Sequence, residues 1–520
     1  MLQAHSITMS ISASAHIRAV LGIDAGTTSV KAMLVGGDGA VIDESEVGHP
    51  ISVPRPGWAE QHPDIWWRST TIAVRKAMQL ADKNNSRIEV AAVGLGGQMH
   101  SSVFLDGDGE VIRPALLWND VRTTPQCRQI MDTAGMDGLR STVGNLPLEG
   151  FTAPKLLWLR QHEPQNYARL QTLLLPKDYI RYRMSGDFST EPSDAAGTLL
   201  FDVRRRIWSE QILHALEIDE GILPPVLKSH EIAGVVSCAA AGELGIPVGT
   251  PIVGGGADNA ASAVGCGITT GGVMQVSIGT SGTVLLPSSE PRIAEDMNLH
   301  TFCHAAPDMW YLMGVALSAG SALRWLRDTV AVGQSYDSLT AGAAKTPIGG
   351  NGLLFLPYLT GERTPHNDAD ARGVFFGLSF SHSLAHLTRA VIEGVCFALR
   401  DSLELMRQQG VSPSEMRAIG GGSRSRMWLQ TIADVFGLPI ATVQISGGAA
   451  YGAALLAAIG CGMFASIEEA VQACVATDKV VEPDAKAIAQ YDDLYGAYRR
   501  LYPALKGEFA ALANLTAGQQ

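Results

Sequence analysis

Three features of the sequence predict an α/β chain of two lobes. The apolar run Ile17, Ala19, Val20, Leu21, Gly22, Ile23 ends in Asp24-Ala25-Gly26-Thr27-Thr28-Ser29, and a second run follows from Val30 to Val35. In the other half, Met274, Val276 and Ile278 lead into Gly279-Thr280-Ser281-Gly282-Thr283, and Val284 to Leu286 follow. A strand, a glycine turn and a helix then recur: Met416 to Ile419, Gly420-Gly421-Gly422-Ser423, and the helical stripe Leu429, Ile432, Ala433, Phe436. Strands alternating with helices in both halves specify α/β architecture.

Length and composition fit two packed lobes. A chain of 520 residues expects two or three domains and buries a large core. Hydrophobic residues make up 46% and charged residues 17%, which excludes a disordered chain. The net charge of −12 speaks against non-specific nucleic-acid binding, which needs basic surface. Seven scattered cysteines with no C-x-x-C suit a reducing compartment, and the expectation is a cytoplasmic protein.

In chain order, residues 1–16 read as a disordered extension without the pattern of a signal peptide. Strands are expected near 17–24, 29–36 and 40–47, then a helix from Pro63-Asp64 to about Asp82 and a buried strand from Val90 to Leu95. Helices are expected at 122–134, 153–162 and 177–184. A turn around Gly245-Ile246-Pro247 leads into Ile252 and Val253, and the glycine-rich stretch 254–272 bridges to the second lobe. The second lobe opens with a hairpin over 272–287 and carries a helical stripe at Leu387, Ala390, Val391, Gly394, Val395 and Ala398. Gly447-Gly448 opens a helix from Ala449, and the stretch to Ala465 is too short and too rich in small residues for a membrane span, so a buried core helix is expected. The resulting division is a first lobe over 17–263, a second over 264–490 and a C-terminal helix or tail over 491–520.

The two Gly/Thr/Ser turns carry the first chemical signal. Glycine lets backbone N–H groups approach an anion, and the hydroxyls add donors. Two such turns, one per lobe, suit the phosphates of a single nucleotide, with Asp24 placed for a Mg²⁺ on those phosphates. This reads as ATP-dependent phosphoryl transfer. No G-x-x-x-x-G-K-[ST], no protein-kinase motif set and no G-x-G-x-x-G is present. Asp258, in Gly254-Gly255-Gly256-Ala257-Asp258-Asn259, is a candidate for the base that takes a hydroxyl proton. The other reading, equally open on spacing, is that Asp258 caps the helix after it. His382 with His386, and His300 with Cys303 and His304, lack the pattern of a metal site and read as structural.

The chain resembles the FGGY carbohydrate kinases over roughly residues 18–460. Gly150-x-Thr152-x-x-Lys155-Leu156-x-Trp158-Leu159-x-Gln161-His162 fits the first signature of that family. Gly373-x-Phe375-x-Gly377-Leu378, His386-Leu387 and Ala390-Val391-Ile392-Glu393 fit the second. Within the family, the subgroup that acts on xylulose is resembled at Pro56-Gly57-Trp58-Ala59-Glu60-Gln61-His62-Pro63, Gly96-Gly97-Gln98-Met99-His100, Ser193-Asp194-Ala195-Ala196-Gly197-Thr198 and Pro357-Tyr358-Leu359-Thr360-Gly361-Glu362-Arg363-Thr364-Pro365. Glycerol kinases carry Gln-Arg-Glu where this chain has Gln98-Met99-His100.

The resemblance implies an actin-like, ribonuclease-H-like fold in each lobe, with ATP and Mg²⁺ and a ketose in the cleft between them. It implies D-xylulose as substrate, Met99, His100 and Asn259 as sugar contacts and Asp258 as proton acceptor. Asp24, with Asp258, would organise the metal. Gly26, Thr27, Thr28, Gly279, Thr280 and Ser281 would hold phosphates, and Gly421, Gly422, Ser425 and Trp325 would border the adenosine. A homodimer and no membrane or nucleic-acid partner are also implied. Ala257, where relatives often have glycine, and Ser423, where many have alanine, are small departures. Other readings are a relative acting on ribulose or erythritol, and an actin-like sensor that binds without turnover.

Overall fold

The computed structural model describes residues 16–83, 87–445 and 447–517. The extension expected over 1–16 lies outside them except for His16, which opens the first strand.

Each lobe is built on one twisted sheet, and the two sheets share a plan. In the first, His16–Ala25, Ser29–Gly36 and Val41–Gly48 form an antiparallel meander, and the parallel strands Arg87–Gly97 and Pro251–Val253 lie on its other side. In the second, Val273–Ile278, Gly282–Ser288 and Trp310–Ala316 repeat the meander, with Glu415–Ile419 and Ile440–Val443 as the parallel pair. Ile232–Val235 extends the first sheet, while His300–Cys303 and Thr477–Val481 close the edges of the second. The strand–turn–strand units read from the sequence are therefore the opening hairpins of two copies of one topology.

Most strands run to within a residue or two of their expected bounds, because the central strands are apolar runs buried on two faces; the one expected from Val90 to Leu95 is longer, Arg87–Gly97. The helix expected at 122–134 continues to Ser141, and Gly135, at φ +69, kinks it where the sequence reading stops. The boundary set at 263/264 falls inside the last turn of the helix Asp258–Gly265, so the passage between sheets comes after it, from Cys266 to Gly272.

The stretch read as a buried core helix is the helix Gly448–Gly460, with its residues from Ala449 to Ala458 buried. It belongs to the second half of the sequence yet lies on the first sheet. A Cβ on Gly22 would run into the carbonyl oxygen of Ala450, and one on Gly94 into that of Ala453. The same helix crosses Asp258–Gly265 so closely that a Cβ on Gly452 would overlap the Ala261 carbonyl. Glycine is required at these crossings because backbone meets backbone.

The region assigned as a C-terminal helix or tail over 491–520 starts earlier and packs deeper. The helix runs Ala485–Ala517, and Tyr491, Tyr495, Tyr498 and Tyr502 are buried in the second-lobe core. Their hydroxyls reach Glu393, Asp401, Tyr358 and Asp368 at 2.9, 2.6, 3.0 and 2.7 Å. No helix among the described residues is long and apolar enough to cross a membrane.

Candidate active site

Strand register brings two carboxylates together. Asp24 lies opposite Gly96 in the parallel pairing of the first two central strands. The short strand Gly256–Ala257 pairs with Gly96 and Gly97 on the other side, and Asp258 follows directly. Between Asp24 and Asp258 stands a strand end with no side chains. Burial raises Asp24 to about 6 and Asp258 to about 7, the Asp24 charge adding to the second shift. Oδ1 of Asp24 is buried with no hydrogen-bond partner among the described residues.

Asp258 occupies the first position of its helix, and Ala257 is the N-cap residue. Its Oδ1 accepts from the backbone N–H of Asn259 at 2.7 Å and from Nδ2 of Asn259 at 3.0 Å. The carboxylate thus steadies the helix start through one oxygen and leaves the other without a hydrogen bond among the described residues. Nδ2 of Asn259 also lies 3.9 Å from the sulfur of Met99, so the three residues form one cluster.

His100 stands at the end of the loop after Arg87–Gly97 in the left-handed region, φ +69. Its carbonyl accepts from Thr152 Oγ1 at 2.9 Å and from the buried Lys155 ammonium at 3.1 Å. Those two residues belong to the signature at 150–162, whose local role is to hold this turn. The Nδ1 of His100 lies 2.5 Å from the Gly197 carbonyl oxygen, which can only accept, so Nδ1 carries the proton and Nε2 is an acceptor. Burial first, and then the charges of Lys155 and Arg363, bring this imidazole down to about 3, so it is neutral at physiological pH.

The segment before Asp258 is clamped from behind. Ser193 Oγ accepts from the backbone N–H of Ala257 at 2.9 Å and donates to Glu191, which also accepts from Ser229. Arg181 donates to the Gly254 carbonyl at 2.7 Å. Lys177 sits among Asp178, Asp194 and Glu191 at 2.6, 3.2 and 3.5 Å, all fully buried. Burial pulls the Lys177 ammonium down, but the three carboxylates outweigh it and hold it at about 12. Burial lifts Asp194 well above the usual carboxylate range. Glu191 carries no signal in the sequence, since a charged residue buried this fully is the exception.

The two phosphate-type turns differ in bracing. Thr27 Oγ1 accepts from Trp118 Nε1 at 2.9 Å, its carbonyl accepts from Gln61 at 2.9 Å, and Thr28 is exposed. In the second lobe, Thr280's carbonyl accepts from the backbone N–H groups of Ala319 and Ser321, both at 3.1 Å. A cavity of about 510 Å³ opens there, lined by Gly279, Thr280, Gly421, Gly422 and Ser425 among others. Ser281 belongs to the turn but not to the lining. Trp325 is not among the lining residues: it stacks on Phe355 and lies tilted against Phe375, ring centroids 6.3 and 6.5 Å away. The neighbouring Arg324 lines the cavity, as do Tyr336 and Trp428, which the sequence reading did not pick out. Among the described residues no group of three or more His, Cys, Asp or Glu side chains is placed to hold a metal ion. The pair of carboxylates is what Mg²⁺ uses when substrate phosphates and water complete its shell.

Comparison with known proteins bears on this arrangement. Residues 19–265 match the N-terminal domain of the FGGY family of carbohydrate kinases, and residues 274–461 match its C-terminal domain. The chain is 40% identical to the xylulose kinase of Bacillus subtilis (strain 168) over 95% of its length and 99% of that protein. It is 39% identical to the xylulose kinase of Escherichia coli (strain K12) over 93% and 99%. Its fold superposes on the crystal structure of xylulose kinase from Rhodospirillum rubrum with a TM-score of 0.88, at 31% identity, covering 95% and 100% of the two chains. Two ribonuclease-H-like lobes, paired carboxylates at the strand ends and matches across both halves lead to one conclusion: the chain belongs to the FGGY family of carbohydrate kinases.

Proposed function

We propose that the protein transfers the γ-phosphoryl group of ATP to the terminal hydroxyl of D-xylulose, giving D-xylulose 5-phosphate and ADP. The observation that carries this reading is the cluster of Asp24, Asp258, Asn259, Met99 and His100 at the strand ends of the first lobe, with the 510 Å³ cavity on the second. The xylulose kinases to which the chain is similar over nearly its whole length support the choice of sugar.

In this reading Asp258 accepts the proton of the sugar hydroxyl as its oxygen bonds to the γ-phosphorus and the bond to the β-phosphate oxygen breaks. Its single free oxygen is oriented by the two Asn259 bonds to the other. Nε2 of His100 accepts from a sugar hydroxyl, and Asn259 and Met99 form the adjoining wall. The turns Gly26-Thr27-Thr28 and Gly279-Thr280-Ser281 hold phosphates with backbone N–H groups and hydroxyls. Gly421, Gly422 and Ser425 border the adenosine, with Tyr336 and Trp428 in the place first given to Trp325. Asp24, assisted by Asp258, would hold Mg²⁺, a task the buried, unpartnered Oδ1 of Asp24 fits, and the ion when bound would neutralise phosphate charge. A cytoplasmic homodimer completes the reading, on the family resemblance.

A coupled ADP assay over D-xylulose, D-ribulose, L-ribulose, erythritol and glycerol tests the substrate. D-xylulose is expected to give the highest kcat/KM, because an unmatched hydroxyl leaves a buried polar group unpaired. A tenfold preference for any of the other four overturns the xylulose assignment.

A further inference from the structure

His300 is a buried imidazole that the proposed reaction leaves unused. It opens the edge strand His300–Cys303 of the second sheet, in the lobe opposite His100. Its Nδ1 lies 2.9 Å from Oδ1 of Asn145. The orientation of that amide is fixed, because Nδ2 of Asn145 donates to the carbonyls of Val143 and Thr301 at 3.0 and 2.9 Å. Oδ1 can therefore only accept, Nδ1 of His300 carries the proton, and Nε2 keeps its lone pair with no partner among the described residues.

His100 has the same tautomer for the same reason, with the Gly197 carbonyl in the part of Asn145. The two imidazoles also share their walls. Phe151 lies 4.6 Å from the His100 ring and 5.9 Å from the His300 ring, centroid to centroid. Phe302 lies 6.0 Å from the first and stacks on the second at 5.4 Å. One aromatic pair is thus flanked by two acceptors, one from each lobe. Burial holds His300 well below the ordinary histidine range, and the charge of Arg363 and the neighbouring His100 lower it further, so both rings are neutral. His300 keeps 7% of its surface exposed, enough for a ring nitrogen to meet a ligand. Among the described residues the Arg363 guanidinium makes no ion pair or hydrogen bond, and its charge acts on both imidazoles, so it supplies positive charge and donors beside the two acceptors.

An open-chain ketose presents several hydroxyls along one carbon chain, and each can donate to an acceptor on its own side. A single acceptor reads one configuration, whereas two acceptors facing each other across the chain read a relation between two centres. We propose that His300 is a specificity-determining residue, accepting through Nε2 a hydrogen bond from a hydroxyl of the same sugar that His100 reads, so that the substrate is gripped from both lobes. This rests on placing the sugar at Met99, His100 and Asp258.

The test measures KM and kcat for D-xylulose and for ATP, with D-ribulose as competitor, in His300→Ala and His300→Gln. His300→Ala is expected to raise the D-xylulose KM by about 10- to 100-fold, the effect of losing one hydrogen bond to a buried group, and to leave the ATP KM unchanged. Its preference for D-xylulose over D-ribulose is expected to shrink. His300→Gln, which restores an acceptor on a side chain of similar reach, is expected to recover part of the affinity and serves as the decisive variant if His300→Ala does not fold. An unchanged sugar KM and preference, or equal losses for sugar and ATP, overturns the inference. The same assays on His100→Ala separate the two questions. A sugar KM raised by His100→Ala but not by the His300 substitutions sinks only this inference, whereas an unchanged KM in His100→Ala sinks the placement of the sugar itself.

Discussion

Asp258 is held by geometry that separates its two oxygens. One is tied to Asn259, and the other makes no hydrogen bond among the described residues, with the charge of Asp24 acting on the carboxylate. Replacing it with asparagine keeps shape and hydrogen bonding but removes the proton acceptor. Asp258→Asn is therefore expected to lower kcat by ~10²–10⁴-fold, while calorimetry still detects ATP binding; near-normal turnover in the purified variant refutes its role. Much of this site was legible in the sequence because its residues sit in glycine-bounded turns after apolar strands. Asp24, Thr27, Met99, His100 and Asp258 all stand at strand ends of one sheet. Trp325 lies outside the cavity lining, and a large aromatic on a short amphipathic helix carries no mark of which way it faces. Its neighbour Arg324 lines the cavity, and the indole packs on phenylalanines instead. Glu191 was unreadable for a different reason: what meets its charge is Lys177 and the Ser229 hydroxyl, which its local sequence does not show.

At the scale of elements, the helix starting at Asp258 is aimed by its backbone anchors. The hydroxyl of Ser193 receives the N–H of Ala257, and Glu191 fixes that hydroxyl. Ser193→Ala leaves a buried N–H without a partner, which costs about 1–3 kcal/mol, and frees the start of the helix. The expected result is a kcat about tenfold lower with the ATP KM unchanged, largely recovered in Ser193→Thr, which keeps the hydroxyl. Steady-state kinetics on the three proteins checks this, and equal kcat values would show that the bond has no bearing on Asp258. The hairpins and buried strands were readable because their apolar runs are uninterrupted. The C-terminal helix was not read as part of the core, because its buried face is made of tyrosines. Each of those rings packs inward while its hydroxyl finds a polar partner, a pattern that polarity scores treat as surface.

The whole molecule carries an uneven balance of buried acids. Glu362 is 1% exposed, its Oε1 accepts from the N–H groups of Leu317 and Arg363, and its Oε2 has no partner among the described residues. Burial raises it to about 8 against an ordinary 4.5. The folded state thus binds this proton more tightly than the unfolded chain. Its contribution to stability is complete below about pH 4.5 and is lost as pH rises through 8. Melting curves from pH 6 to 9 are expected to show Tm falling less steeply in Glu362→Gln, which stays neutral, than in the parent. Parallel slopes would show that Glu362 is already charged at pH 6.

The helix Gly448–Gly460 lies in the glycine-lined trough of the first sheet and crosses the helix of Asp258. On a ribosome the first lobe therefore emerges long before its own lid has been synthesised. Its open face, Gly22 and Gly94 at the floor, waits while most of the second lobe is made. The same arrangement means that a gene cut between the lobes yields an amino-terminal half with a bare trough, and a carboxy-terminal half bearing a loose apolar helix that fits it. Reassembly of two separately produced halves would have a ready-made seam, the backbone-to-backbone crossing at Gly452 and Ala261.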